Sequence, residues 1–283
     1  MEKIKLIHNS YSINIYHRQG QTNEKLVFLH GGGLDNAMLS WKEVIEAMGN
    51  QYDIYAIDLL GYGESDKPDI VYSIPMNMAL LYDVLRQLNI EKTHLVGLSM
   101  GGAISIGFSL KFPEKVNKLV LVDAMGFSDR VGFYAFSRWF VNSKFNAKSY
   151  GWMGKNKKRV KFMIAATLIG DKNKISDELV STIYHLINEP NCNLAWASFQ
   201  RYELGKKKLT TDLRTHLNEL KMPVLIVNGE KDTSVPVESA ITASKVIKNS
   251  QLYIMRGCKH WAQKERPNEF AQTLEAFLRN DNV

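Results

Sequence analysis

The sequence predicts one α/β domain, a mostly parallel sheet flanked by helices and interrupted by a helical insertion. Three observations predict it. Short β-branched runs alternate with helical patterns over the first 125 residues. The alternation stops between Phe127 and Asp212, and it returns from Pro223 to the C-terminal region. Such alternation is the signature of βαβ units, whose strands are buried on both faces.

The elements follow in order. Ile4–Leu6 and Ile13–Tyr16 read as an opening antiparallel pair. Lys25–Leu29, Tyr52–Ile57, Thr93–Val96 and Lys118–Val122 are apolar runs that end at Gly or Asp, as buried strands do. Between them Trp41–Met48, Met76–Leu88 and Gly101–Phe112 carry helical spacing, and Pro113 stops the last. Beyond the insertion come strand Pro223–Val227, helix Val237–Ile247, strand Gln251–Met255 and helix Asn268–Leu278. Residues 1–126 and 213–283 are therefore expected to form the core, with 127–212 inserted as a helical unit.

Composition narrows the function classes. Of 283 residues, 45% are hydrophobic and 23% charged, which excludes disordered and collagen-like chains. Two separated cysteines, Cys192 and Cys258, support neither a disulfide framework nor a zinc site and predict free thiols. The N-terminus lacks the apolar centre of a signal peptide, and no run reaches the ~18 apolar residues of a membrane span. A soluble, cytoplasmic protein without a membrane partner is expected. Net charge is +7, and residues 127–212 hold 15 Lys or Arg against 7 Asp or Glu. No nucleic-acid motif accompanies that basic stretch, so Lys155–Lys161 and Lys206–Lys208 read as solvated faces. The insertion also holds 14 of the 29 aromatic residues.

The chemistry starts at Gly97-Leu98-Ser99-Met100-Gly101, a G-x-S-x-G placed between a strand and a helix. Chance would supply about 0.1 such pentapeptides in a chain of this length. In that setting a sharp turn lifts the serine hydroxyl out of the backbone, and side chains at 97 and 101 would collide with it. A serine hydroxyl needs a base. Of seven histidines, His260 fits best, since it follows strand Gln251–Met255 through a short loop; His216 lies in a polar helical stretch and reads as surface. The base needs an acid to fix its tautomer. Asp232 follows strand Pro223–Val227 at the same sheet edge, with Glu230 and Asp123 as rivals. The tetrahedral oxyanion needs N–H donors, predicted at Met100 and at Gly32 of His30-Gly31-Gly32-Gly33, with Gly33 and Leu34 as neighbours. His30 reads as a brace for that loop. Leu98 and Trp261, flanking the nucleophile and the base, join Gly33 and Leu34 as expected pocket residues.

Together these motifs resemble the α/β-hydrolase superfamily across nearly the whole length. Asp58-Leu-Leu-Gly-Tyr-Gly-Glu-Ser-Asp66 is similar to the family's D-x-x-G-x-G-x-S turn, which braces the site. The resemblance implies that 127–212 is a cap over the active site. Within the superfamily, Cys258-Lys259-His260-Trp261-Ala262-Gln263 with Glu265 is similar to the C-G-H-W-A-Q-x-E end of the meta-cleavage product hydrolases, which break a carbon–carbon bond in vinylogous diketo acids. Two positions depart from that group. Leu98 stands where asparagine is usual, and Thr182 falls where the cap arginine holds the substrate carboxylate.

The function expected from the sequence is carboxylester hydrolysis of a small to medium apolar substrate by Ser99, His260 and Asp232. Carbon–carbon bond hydrolysis is the alternative, and a slow-turnover binding or signalling protein of the same fold is a third reading. No ligand cluster such as HExxH occurs, so no metal or cofactor is expected. The partner is a small molecule, anionic if the basic insertion steers it, and not nucleic acid; the sequence leaves the oligomeric state open.

Overall fold

The computed structural model describes residues 1–128 and 133–280; residues 129–132 of the predicted insertion and 281–283 lie outside it. Eight strands form one sheet: β1 (Glu2–His8), β2 (Tyr11–Arg18), β3 (Lys25–Leu29), β4 (Asp53–Ile57), β5 (Thr93–Leu98), β6 (Val116–Val122), β7 (Val224–Gly229) and β8 (Ser250–Met255). Their order is β1-β2-β4-β3-β5-β6-β7-β8. β1 and β2 pair antiparallel, β2 meets β4 antiparallel, and every later pairing is parallel. The predicted architecture is the observed one.

Two apolar layers hold the sheet. On one face α2 (Ile74–Gln87), α3 (Met100–Lys111) and α9 (Val237–Val246) bury Leu80, Leu81, Phe108 and Ala243 against Val27, Leu95 and Ile226. On the other, α1 (Ala37–Ala47) and α11 (Pro267–Leu278) bury Trp41, Val44, Phe270 and Leu274 against Phe28, Val96 and Leu225. Helix starts are set by caps. Asn36 accepts from Leu39 N–H at 2.9 Å and Ser73 from Met76 N–H at 3.2 Å. This explains why α1 begins four residues before the expected Trp41: the apolar spacing marks the buried stripe, and the cap marks the start.

Between β6 and β7 the described residues form α4 (Tyr134–Val141), α5 (Lys144–Met153), α6 (Lys157–Met163), a π turn at Ile164–Leu168, α7 (Asp177–Ile187) and α8 (Leu194–Glu203). This segment continues both apolar layers rather than standing apart. Ala195 and Phe199 join the first, and Val160, Ile164, Leu179 and Ile183 join the second. The short α10 (Ala262–Glu265) precedes α11. Lys155, Lys157, Lys158, Lys161 and Lys206–Lys208 are exposed.

Candidate active site

Five strand ends converge at one edge of the sheet, those of β3, β5, β6, β7 and β8. Ser99 stands between β5 and α3 with φ of +51°, a left-handed conformation that non-glycine residues seldom hold. The strain is contained by the surrounding backbone. Ser99 N–H donates to Val122 O at 2.9 Å, while Ser99 O accepts from Met125 N–H at 3.0 Å and Ala103 N–H at 3.1 Å. The flanking glycines are needed for the reason expected: a Cβ at Gly97 would lie 2.4 Å from Gly101 O, and one at Gly101 2.5 Å from Leu29 O.

Around this turn the predicted residues meet. His260 Nε2 lies 3.0 Å from Ser99 Oγ, and His260 Nδ1 lies 2.7 Å from Asp232 Oδ2. A carboxylate only accepts, so Nδ1 carries the proton and Nε2 is left as the acceptor for the serine hydroxyl. Asp232 is itself held, its Oδ1 accepting from Ser234 N–H at 2.7 Å and Val235 N–H at 3.1 Å. All three residues are buried.

Of the rival acids, Glu230 is exposed and accepts from Gly257 N–H, away from His260. Asp123 is different. It is fully buried at the end of β6, accepts from Gly229 N–H at 2.7 Å and reaches toward Ala262 N–H at 3.4 Å. Carboxylate oxygens of Asp123 and Asp232 and a His260 nitrogen lie within 4.8 Å of one another. Burial, reinforced by the Asp232 charge, pushes the Asp123 carboxyl well above the usual carboxylate range and so favours its neutral form. The sequence treated the two aspartates as alternatives, whereas the fold packs them together. His216 is at the surface as expected, 2.8 Å from Glu219.

The glycine loop after β3 is braced from below. His30 Nδ1 donates to Gly31 O at 2.7 Å and His30 Nε2 accepts from Leu59 N–H at 3.1 Å, matching its expected supporting role. Asp58 accepts from Ala37, Glu64 and Asn14 donors and ties the D-x-x-G-x-G-x-S turn to α1 and β2. Met100 opens α3, so its N–H has no acceptor inside the helix. Gly32 lies under the Trp196 ring, where a Cβ would sit 2.1 Å from Trp196 Cζ3.

Gly32, Gly33, Leu34, Ser99, His260 and Trp261 line a cavity of about 210 Å³. Its roof is made by Tyr150, Met153, Met163, Leu168 and Ile183 from the helical segment. Burial pushes the Tyr150 phenol up, which keeps it protonated and able to donate. The expectation for Leu98 is corrected. It is fully buried in the apolar layer behind Gly31 and does not line the cavity, because strand alternation turns it from the pocket. The roof residues lacked any motif in the sequence; only their apolar character could have hinted at them.

The roof is tied to the loop that carries His260. Trp261 N–H donates to Leu168 O at 3.0 Å, and Lys259 Nζ donates to Ala165 O at 2.6 Å and Ala166 O at 2.9 Å. Buried Glu265 accepts from Gly170 N–H and Asp171 N–H, each at 2.7 Å.

A family model described as the alpha/beta hydrolase fold matches residues 25–267. The chain belongs to the alpha/beta hydrolase fold family. Within this family, it is 28% identical over 272 residues to the 2-hydroxy-6-oxo-6-(2'-aminophenyl)hexa-2,4-dienoic acid hydrolase of Metapseudomonas resinovorans, covering 95% of this chain and 89% of that one. It is 30% identical over 269 residues to the 2-hydroxy-6-oxononadienedioate/2-hydroxy-6-oxononatrienedioate hydrolase of Escherichia coli, covering 92% and 88%. Among solved structures, a serine hydrolase involved in carbazole degradation superposes with a TM-score of 0.80 at 26% identity, covering 99% of this chain and all of that one. The resemblance to the meta-cleavage product hydrolases therefore extends along the alpha/beta hydrolase chain, well beyond the C-terminal motif.

Proposed function

We propose that this hydrolase uses Ser99, His260 and Asp232 to cleave a carbon–carbon bond in a keto acid of the meta-cleavage type. The observation that carries serine chemistry is the hydrogen-bonded chain from Asp232 through His260 to Ser99 at the wall of an apolar cavity. The named relatives, similar over most of their length, favour carbon–carbon cleavage over the ester hydrolysis expected first.

In this reading His260 Nε2 takes the Ser99 proton as Oγ reaches the substrate carbonyl, and Asp232 stabilises the imidazolium that forms. The N–H groups of Met100 and Gly32 receive the oxyanion. Cleavage then requires a leaving carbon that can hold an electron pair, which a conjugated carbonyl in the substrate provides, and His260 returns the proton to it; water activated by His260 then hydrolyses the acyl-Ser99 ester, releasing the acid and restoring the hydroxyl. The inserted segment acts as a cap whose roof of Tyr150, Met153, Met163, Leu168 and Ile183 shields the reacting bond from bulk solvent.

Ester hydrolysis stays as a second reading on one specific observation. Among the described residues no Lys or Arg lines the cavity, and Thr182 faces a separate groove with Met38, Glu43 and Lys264. The described lining thus offers a substrate carboxylate no cation of the kind an acid-binding pocket normally supplies. Parallel measurement of kcat/KM on a ring-cleavage dienoate and on p-nitrophenyl acetate to octanoate separates the two. The proposal expects the dienoate to be the better substrate by at least tenfold. A preference for the esters reverses it, and about one event per molecule on either series points to the binding protein.

A further inference from the structure

Residues 133–170 contain eight Lys or Arg and no Asp or Glu. The same stretch bears six large aromatic side chains, Phe133, Phe136, Trp139, Phe145, Trp152 and Phe162, that are 53–90% exposed. Most proteins scatter single exposed apolar residues, but a cluster calls for a partner. Here the rings touch one another: Phe136 to Trp139 at 5.7 Å and Trp139 to Phe145 at 6.0 Å between centroids. Cations sit among them, Lys148 Nζ 5.8 Å from the Phe145 ring and the Arg159 guanidinium 4.1 Å from the Trp152 ring.

The patch also leads inward. Phe136 and Phe140 wall an apolar cavity of about 260 Å³ together with Met125, Trp196 and Phe199. Met125 is hydrogen-bonded to Ser99 O, and Trp196 lies over Gly32. An apolar molecule entering beside Phe136 would come to rest against the turn that bears the nucleophile.

Charge selects the occupant. A second copy docked face to face would set two predominantly basic surfaces against each other even with exposed Asp177 beside Lys161, since a two-fold interface pairs a patch with itself. An anionic surface with an apolar interior satisfies both halves of the patch. Aromatic rings settle at the boundary of headgroup and acyl chain, and Lys and Arg meet the phosphates. We propose that the α4–α6 face docks on an anionic phospholipid bilayer. The expectation of no membrane partner rested on the lack of a spanning segment, and adsorption needs none. Docking does not depend on which bond the site breaks, so it can fail while the hydrolase reading stands.

The test is co-sedimentation of the full chain with vesicles of phosphatidylcholine alone and of phosphatidylcholine mixed with phosphatidylglycerol. The anionic vesicles should bind the protein at least tenfold more strongly, and high salt should release it. Lys144→Glu with Lys148→Glu should weaken binding roughly tenfold or more, and Phe136→Ser with Trp139→Ser and Phe145→Ser should abolish it. All five side chains are exposed, so both variants should keep the wild-type circular dichroism spectrum. Three results would overturn the proposal: no binding to anionic vesicles, binding that both folded variants retain, or a wild-type dimer in sedimentation velocity that the aromatic variant dissolves. A single-stranded oligonucleotide that displaces the protein from vesicles through the same residues would reassign the face to nucleic acid.

Discussion

Replacing Asp232 with asparagine tests how the two buried aspartates divide their work. Asp232 Oδ1 accepts two backbone N–H groups and Oδ2 accepts the His260 proton. An asparagine that keeps its oxygen on the backbone must turn its NH₂ toward His260 Nδ1. The ring then takes the opposite tautomer, with its N–H aimed at Ser99 Oγ, and cannot accept the serine proton. The opposite flip points NH₂ at two N–H donors and loses both bonds. Either way kcat should fall by about 10⁴, which is about 5 kcal/mol of transition-state stabilisation. Asp123→Asn is the contrasting change. Burial and the Asp232 charge favour a neutral Asp123 carboxyl, so a carboxamide of the same shape should leave kcat within about threefold of wild type. When Asp232 is neutralised, the charge that helped raise the Asp123 carboxyl disappears, and Asp123 ionises more readily. The residual activity of Asp232→Asn should therefore rise with pH, and adding Asp123→Asn should remove that rise and about a further tenfold of rate. Steady-state kinetics of the three variants from pH 5 to 9 reads all of this. A mild Asp232→Asn beside a dead Asp123→Asn would refute the division.

Three further outcomes follow from the same geometry. His94 is buried with neither ring nitrogen bonded, and burial lowers it to about 4. The unfolded chain binds its proton first, near 6.5, so stability is whole above that pH and drains as pH falls toward 4, by about 3 kcal/mol in all. Urea unfolding of His94→Leu should show about 2 kcal/mol less loss than wild type between pH 7 and pH 5; parallel pH curves would contradict this. Gly32→Ala drives a Cβ into the Trp196 ring and should cut kcat/KM about 10²-fold, with Trp196→Ala restoring most of it in the double variant. Glu265→Gln leaves one oxygen for the Gly170 and Asp171 N–H groups and should cost about 1–3 kcal/mol in urea while raising KM.

Much of the fold was legible because buried parallel strands leave short apolar runs and their ends fall at Gly or Asp. The order of Ser99, Asp232 and His260 was legible for a similar reason: each stands just past a strand at one sheet edge. What escaped was set by packing across the chain. Nothing local to Leu98 says that it turns into the core, and nothing local to Asp123 says that its carboxyl would lie behind that of Asp232. Tyr150, Met163 and Leu168 form the roof through tertiary docking on the His260 loop, and helical spacing alone cannot indicate which apolar residues face a cavity. Trp196 reaches Gly32 across 164 positions of sequence, a contact that no local pattern encodes.

The central claim, that Ser99 is a nucleophile activated by His260, is tested most directly by a fluorophosphonate probe with peptide mass mapping. Wild type should carry one adduct, on the peptide bearing Ser99, and His260→Ala should label at least 10³-fold more slowly. Labelling that persists in Ser99→Ala, or that is unchanged in His260→Ala, would contradict the account.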